Sequence, residues 1–405
     1  MKPDILIASI CLVFATGFST LPPIINTSSH KLLLQPGAVT KIETLNPEIT
    51  LPHSGQSYRI TYWTTGSRGE PALSTAAVYL PKSNPPQGGW PVMAWAHGTV
   101  GLNDRCAYSI NGPAAWERDW DYLNSWIDQG YAIVASDYVG LGTPGNHPYL
   151  DGKIEAHNVV DAVKAATAHF SSLSKKWFVA GQSQGGAAAL FTARYADEFG
   201  GNSNGLSYRG AVATGVPAYI ETILPLIFRP GVISSSVLGQ KNFPNLTVYV
   251  LYIISGLRTA HPEWNLDSYL TEYGRKWVNT AEGPICDTLS TPGHRSPEGI
   301  GDLVKKENVR LGKLFAKPLN LIPGFKKALT DYMAIPENGY QEPIFIGQGG
   351  LDTDVFMPGA LALAAKLKAN RQPVTFKFYP DQDHSGTVNT SKKDSIPFVK
   401  KIMAK

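Results

Sequence analysis

Short apolar runs alternate with amphipathic stretches along most of this chain. Residues 58–64 and 76–80 alternate apolar and polar positions on either side of a turn-forming segment at 66–71, which predicts an antiparallel strand pair. A buried strand then runs from Trp90 into His97-Gly98-Thr99. Residues 114–129 show helical spacing, with Trp116, Trp120, Leu123 and Trp126 on one face. Such an aromatic row reads as core. A strand over 131–137 feeds a loop dense in turn formers, 138–150, and a helix follows over 155–170. Strand, turn and helix recur over 176–191, and another strand is expected at 208–214. This alternation predicts a mostly parallel sheet with helices on both faces.

The rhythm fails at residues 218–340. Long apolar stretches at 220–228 and 246–257 are broken by Pro and Gly, without strand–helix alternation. The second stretch is too short to cross a bilayer and reads as a helix buried in an insertion. The pattern resumes with strands at 343–346 and 374–379 and helices at 358–369 and 395–404. At the front, residues 20–55 are rich in Pro, Ser and Thr and predict an irregular arm.

Composition narrows the class. The chain has 405 residues, 43% hydrophobic and 17% charged, which suits one large domain or a domain with a sizeable insertion. Its net charge of +4 is small and its lysines are scattered, so nucleic acid is not an expected partner. Lys2 precedes an apolar run from Ile5 to Phe18. Residues 1–19 therefore read as a signal peptide, with an uncleaved anchor as the alternative, and the protein is expected to be secreted or periplasmic. Removing that segment takes Cys11 and leaves Cys106 and Cys286. In an exported chain two cysteines suggest one disulfide, and two separate buried thiols are the alternative. Neither Cys-x-x-Cys nor His-Glu-x-x-His spacing occurs, so no metal and no cofactor is expected. Asn26, Asn245 and Asn389 begin glycosylation patterns, which matter only in a eukaryotic secretory route.

The candidate chemistry centres on Gly181-Gln182-Ser183-Gln184-Gly185, between an apolar strand and an Ala-rich helix. Gly-x-Ser-x-Gly in that setting predicts a nucleophile elbow. Small neighbours allow the strained turn, and the helix N-terminus points its positive end at a developing oxyanion. A serine nucleophile needs a base, and the base needs an orienting carboxylate, in the chain order Ser, acid, His. His384 follows the strand at 374–379 and is the one histidine beyond His294, which makes it the expected base. Asp352, behind a Gly pair, is the preferred acid, with Asp354 as the alternative. Asp381 and Asp383 are expected to cap or solvate the histidine loop. His97 lies on the wrong side of the serine for a base and is expected to be structural.

Several segments together resemble one family. They are Trp95-Ala-His-Gly-Thr-Val-Gly101 with Cys106, Gly130 to Tyr138 running into Gly140-Leu-Gly-Thr-Pro-Gly145 and His147-Pro-Tyr-Leu150, Gly181 to Gly186, and Gln348-Gly-Gly-Leu-Asp352. Across about residues 57–390 the chain resembles the secretory lipases of the lipase-A type, a branch of the α/β-hydrolases. The resemblance implies Ser183 as nucleophile, Asp352 as acid and His384 as base, with backbone N–H groups of Thr99 and Gln184 as oxyanion donors. It implies a hydrolase core over 20–217 and 341–405, with a helical cap inserted over 218–340. It also implies a bridge from Cys106 to a later cysteine, for which Cys286 is available.

The expected activity is hydrolysis of carboxylic esters, foremost lipid esters, through an acyl-enzyme. Transient contact with a lipid interface belongs to that expectation. A peptidase or a short-chain or acetyl esterase on the same fold is the alternative, and a non-catalytic binding protein a third.

Overall fold

A computed structural model describes residues 34–230, 244–287, 299–355 and 357–405. The expected signal peptide, Cys11 and Asn26 lie outside the described residues, as do parts of the expected cap.

Nine strands form one sheet among the described residues, in the order β1-β2-β3-β5-β4-β6-β7-β8-β9. β1 (Val39–Thr44), β2 (Ser54–Thr65) and β3 (Pro71–Pro81) are antiparallel, and β3 joins β5 (Ala132–Ser136) the same way. From β5 onward the pairing is parallel, through β4 (Trp90–Ala96), β6 (Leu173–Gln182), β7 (Ser207–Thr214), β8 (Ile344–Gly349) and β9 (Val374–Tyr379). β4, β5 and β8 are buried end to end or nearly so, as strands covered on both faces must be.

The irregular arm needs correcting. Val39–Thr44 is an edge strand on β2, with Ile42 opposite Ile60. Its six residues, with only Val39 and Ile42 apolar, carry no strict alternation, so the strand depends on its pairing with β2.

Helices Gly152–His169 and Gln184–Tyr195 pack together on one face of the sheet, while Trp116–Asp128 and Lys392–Met403 cover the other. Of the aromatic row, Trp126 is fully buried, whereas Trp116 and Trp120 are half-buried and pair with each other at 3.9 Å. Between β7 and β8 the chain leaves the sheet. It passes through helices Ile220–Ile227, Pro244–Ala260, Glu272–Ala281, Ile300–Lys306 and Phe325–Met333, which share a separate apolar core. Val248, Leu251, Ile253, Ile254 and Leu257 of the Pro244–Ala260 helix are buried in it. Each such side chain contributes about 1.5–3 kcal/mol on burial.

Several contacts fasten this layer to loops of the sheet domain. The Cys106–Cys286 disulfide bridges a sequence separation of 180. The Tyr332 hydroxyl donates to the Tyr149 carbonyl at 2.9 Å. The Asn245 amide donates to Asp354 at 2.7 Å.

Candidate active site

β6 ends at Gln182, and the next helix starts at Gln184, leaving Ser183 alone on the turn. Its φ of 60° and ψ of −122° lie where non-glycine residues are rarely held. The strain is tolerated because the chain can close tightly around it. A Cβ at Gly185 would land on the Ala96 carbonyl, and one at Gly181 on the Gly185 carbonyl. The Ser183 N–H donates to the Thr214 carbonyl at 2.9 Å, tying the turn to β7.

His384 follows β9 and Asp352 follows β8, and the two meet. His384 Nδ1 lies 2.8 Å from Asp352 Oδ2. The carboxylate also accepts from the backbone N–H groups of Asp354 and Val355 and from the Gln348 amide. Burial alone would push the Asp352 carboxyl up. The hydrogen bond and charge of His384, with the Val355 N–H and the Gln348 amide, outweigh burial and hold it below the usual range. Asp354 points away, toward Asn245. Asp383 caps its own loop, accepting from the Gly386 N–H at 2.7 Å. The His97 ring is buried against the carbonyls of Gly98 and Asp137.

Two cavities meet at Ser183. One, of about 600 Å³, lies under the helical layer and is lined by Ile220, Ile223, Leu224, Ile227, Leu246, Val250, Ile253 and Val355, with Gln184 and Asp352 at its Ser183 end. The other, of about 230 Å³, is the more polar of the two, with Thr99, Arg118, Gln182, Asn245, Asp287, Asp354 and His384 in its wall beside Ala114, Ala115 and Val248. Among the described residues no group of three or more His, Cys, Asp or Glu is placed to hold a metal ion.

The turn-rich loop after β5 has a part the sequence did not assign. Tyr149 Oη lies 2.7 Å from Thr99 Oγ1. The Gln184 amide donates to Glu155 Oε1 at 2.7 Å and to His147 Nε2 at 2.8 Å, and the Leu150 N–H donates to the same Glu155 oxygen. Thr99 and Gln184 are therefore both anchored to residues of, or next to, one loop. A signal for Glu155 was present in its place on a helix stripe otherwise made of Val159, Ala162 and Ala166, where a carboxyl has no apolar reason to be.

This brace carries a stability consequence. Burial pushes the Glu155 carboxyl up to about 8, against hydrogen bonds from Gln184 and Leu150, and Asp151 nearby raises it further. Burial likewise pushes Asp151 up to about 7 and His147 down to about 3. The two acids keep their protons in the fold, while in the unfolded chain they ionise above about pH 4. The unfolded chain then binds fewer protons, so this contribution to stability is lost as pH rises from about 4 to about 8. His147 works in the opposite sense: it stays neutral in the fold, and stability falls as the unfolded histidine protonates below about pH 6.5. Melting temperature is expected to drop between pH 6 and pH 8.5, and Glu155→Gln should flatten that slope. Calorimetry across this range checks it, and an equal slope in both proteins would contradict it.

A family model described as secretory lipase matches residues 116–242, which include the Ser183 elbow. This chain resembles the secretory lipases. The match supports carboxylic-ester hydrolase activity. The fold agrees. Candida antarctica lipase A in its closed state superposes with a TM-score of 0.71 at 19% identity, over 91% of this chain and 83% of that one. The rice cell wall degrading esterase LipA from Xanthomonas oryzae, in a ligand-bound form, superposes at 0.65 and 20% identity, over 91% and 98%. At these identities the likeness is one of fold, and the fold is that of the α/β-hydrolases. No curated protein sequence matches the chain.

Proposed function

We propose that this protein is an exported serine hydrolase that cleaves lipid esters through an acyl-enzyme. Ser183 Oγ attacks the ester carbonyl as its proton passes to His384 Nε2. Asp352 holds the ring and stabilises the imidazolium that forms. Backbone N–H groups of Thr99 and Gln184 take the oxyanion, each worth about 3–4 kcal/mol when such a donor is removed in comparable sites. His384 then returns the proton to the leaving alcohol oxygen, and water, deprotonated by the same histidine, releases the acid. The observation that carries this reading is the strained Ser183 at the junction of two cavities, with the Asp352–His384 pair bordering them. No described helix is long and apolar enough to cross a membrane. Export rests on the apolar N-terminal segment and on the secretory-lipase match.

The apolar cavity supports an acyl-chain site formed by the helical insertion, residues 218–340. The activity test is a panel of p-nitrophenyl esters from acetate to palmitate, with turnover expected across it. Ile223→Trp and Leu246→Trp should narrow the cavity from partly exposed positions without disturbing the core. Each methylene excluded should lower the palmitate-to-butyrate ratio of kcat/KM about fourfold, since burying one gains up to about 0.8 kcal/mol. An unchanged ratio in both variants would remove the cavity as the acyl site and favour a short-chain esterase. One observation favours a peptidase instead: Asp287 and Asp354 both line the polar cavity, where they could hold a peptide amino terminus. Turnover of aminoacyl p-nitroanilides but not of the esters would establish that alternative.

A further inference from the structure

Gln182, the residue before the expected nucleophile, makes an unexpected contact. Its side-chain nitrogen lies 2.7 Å from His384 Nε2. Asp352 on the far side of the ring fixes the proton at Nδ1, so Nε2 presents its lone pair. An amide NH2 can donate to that lone pair, whereas the amide oxygen could not approach it, since two acceptors would face each other. The rest of the side chain is confined. Gln182 is buried, and its oxygen lies 2.7 Å from where a Cβ would stand on Gly98, so the loop before Thr99 packs directly against the amide.

We propose that Gln182 is a positioning residue that holds the base in a resting state. Its amide occupies the lone pair that must accept the Ser183 proton, and substrate has to displace it before the reaction can begin. This rests on the reading of Ser183 as nucleophile and His384 as base. A nitrogen lone pair accepts one good hydrogen bond, so the Gln182 amide and the Ser183 hydroxyl compete for it. Gln182 lines the polar cavity together with Thr99, Ser183 and His384, and of these only Ser183 also lines the apolar chamber. The alcohol part of an ester entering there meets the amide and can offer it another acceptor. Release of the base is in this way coupled to filling of the alcohol side, and a probe too small to fill it gains least.

The test uses Gln182→Leu and Gln182→Met, which keep most of the volume and remove the donor. The second-order rate of Ser183 phosphonylation by a small fluorophosphonate is measured, together with kcat and KM for p-nitrophenyl acetate. Both the labelling rate and kcat should rise about two- to tenfold, the range set by losing one competing hydrogen bond, with KM unchanged. A merely structural glutamine would not give faster variants. Labelling at or below the wild-type rate in both variants would overturn the proposal. Should either variant fold poorly, 15N-labelled wild-type protein supplies an independent reading. A scalar coupling across the Gln182 Nε2 to His384 Nε2 hydrogen bond is expected, and its absence would equally overturn the proposal. Failure of the wild type to label at Ser183 at all would sink the hydrolase reading itself, whereas labelling without acceleration sinks only the role of Gln182.

Discussion

Ser183→Ala is expected to lower ester turnover by about 10⁴- to 10⁶-fold, the loss seen when a triad nucleophile is removed. The size follows from what the residue does in the proposed reaction. Without Oγ no acyl-enzyme can form, and only binding and oxyanion stabilisation remain. The fold should survive, because the turn is held by the Thr214 carbonyl, the tight glycines and the following helix rather than by the hydroxyl. Circular dichroism and melting temperature close to wild type, with turnover near background, are the expected pair of results. Turnover within tenfold of wild type would mean that the elbow is only a strained turn.

Asp352→Asn should be nearly as damaging, with kcat falling about 10⁴-fold as in other triads whose acid is made neutral. An amide at 352 can turn its NH2 toward His384 and favour the wrong tautomer, so Nε2 no longer presents a lone pair. Asp354→Asn should cost less than about tenfold, because this side chain only accepts a hydrogen bond from Asn245. The contrast is specific, since the two residues are two positions apart and share a loop. Asp352 also contributes stability at neutral pH. Its carboxyl is held low in the fold, so its contribution is present above the unfolded value and lost as pH falls through the folded one. The reverse order of damage in steady-state kinetics would move the acid to Asp354.

The elbow was legible because its chemistry constrains its neighbours. A serine at positive φ needs glycines where Cβ atoms would strike carbonyls, and Gly181 and Gly185 are spelled out in the chain. The meeting of Asp352 with His384 was legible in part, since chain order places one on each loop after β8 and β9, but order alone left Asp354 open beside Asp352. The long buried helix at Pro244–Ala260 announced itself through its run of apolar residues. β1 did not, because an edge strand of six residues borrows its stability from β2. Gln182 gave no signal, since its contact is with a histidine 202 residues later. The Thr99–Tyr149 contact spans 50 residues and is likewise a product of the fold.

The most direct test of the account is to label the nucleophile covalently, Oγ displacing fluoride from phosphorus. The wild-type protein is treated with a fluorophosphonate, digested and read by mass spectrometry, alongside Ser183→Ala. The account predicts one equivalent of adduct, on the peptide carrying Ser183, and none in the variant. An adduct on a different residue, or an unmodified Ser183 peptide in folded wild-type protein, would contradict it.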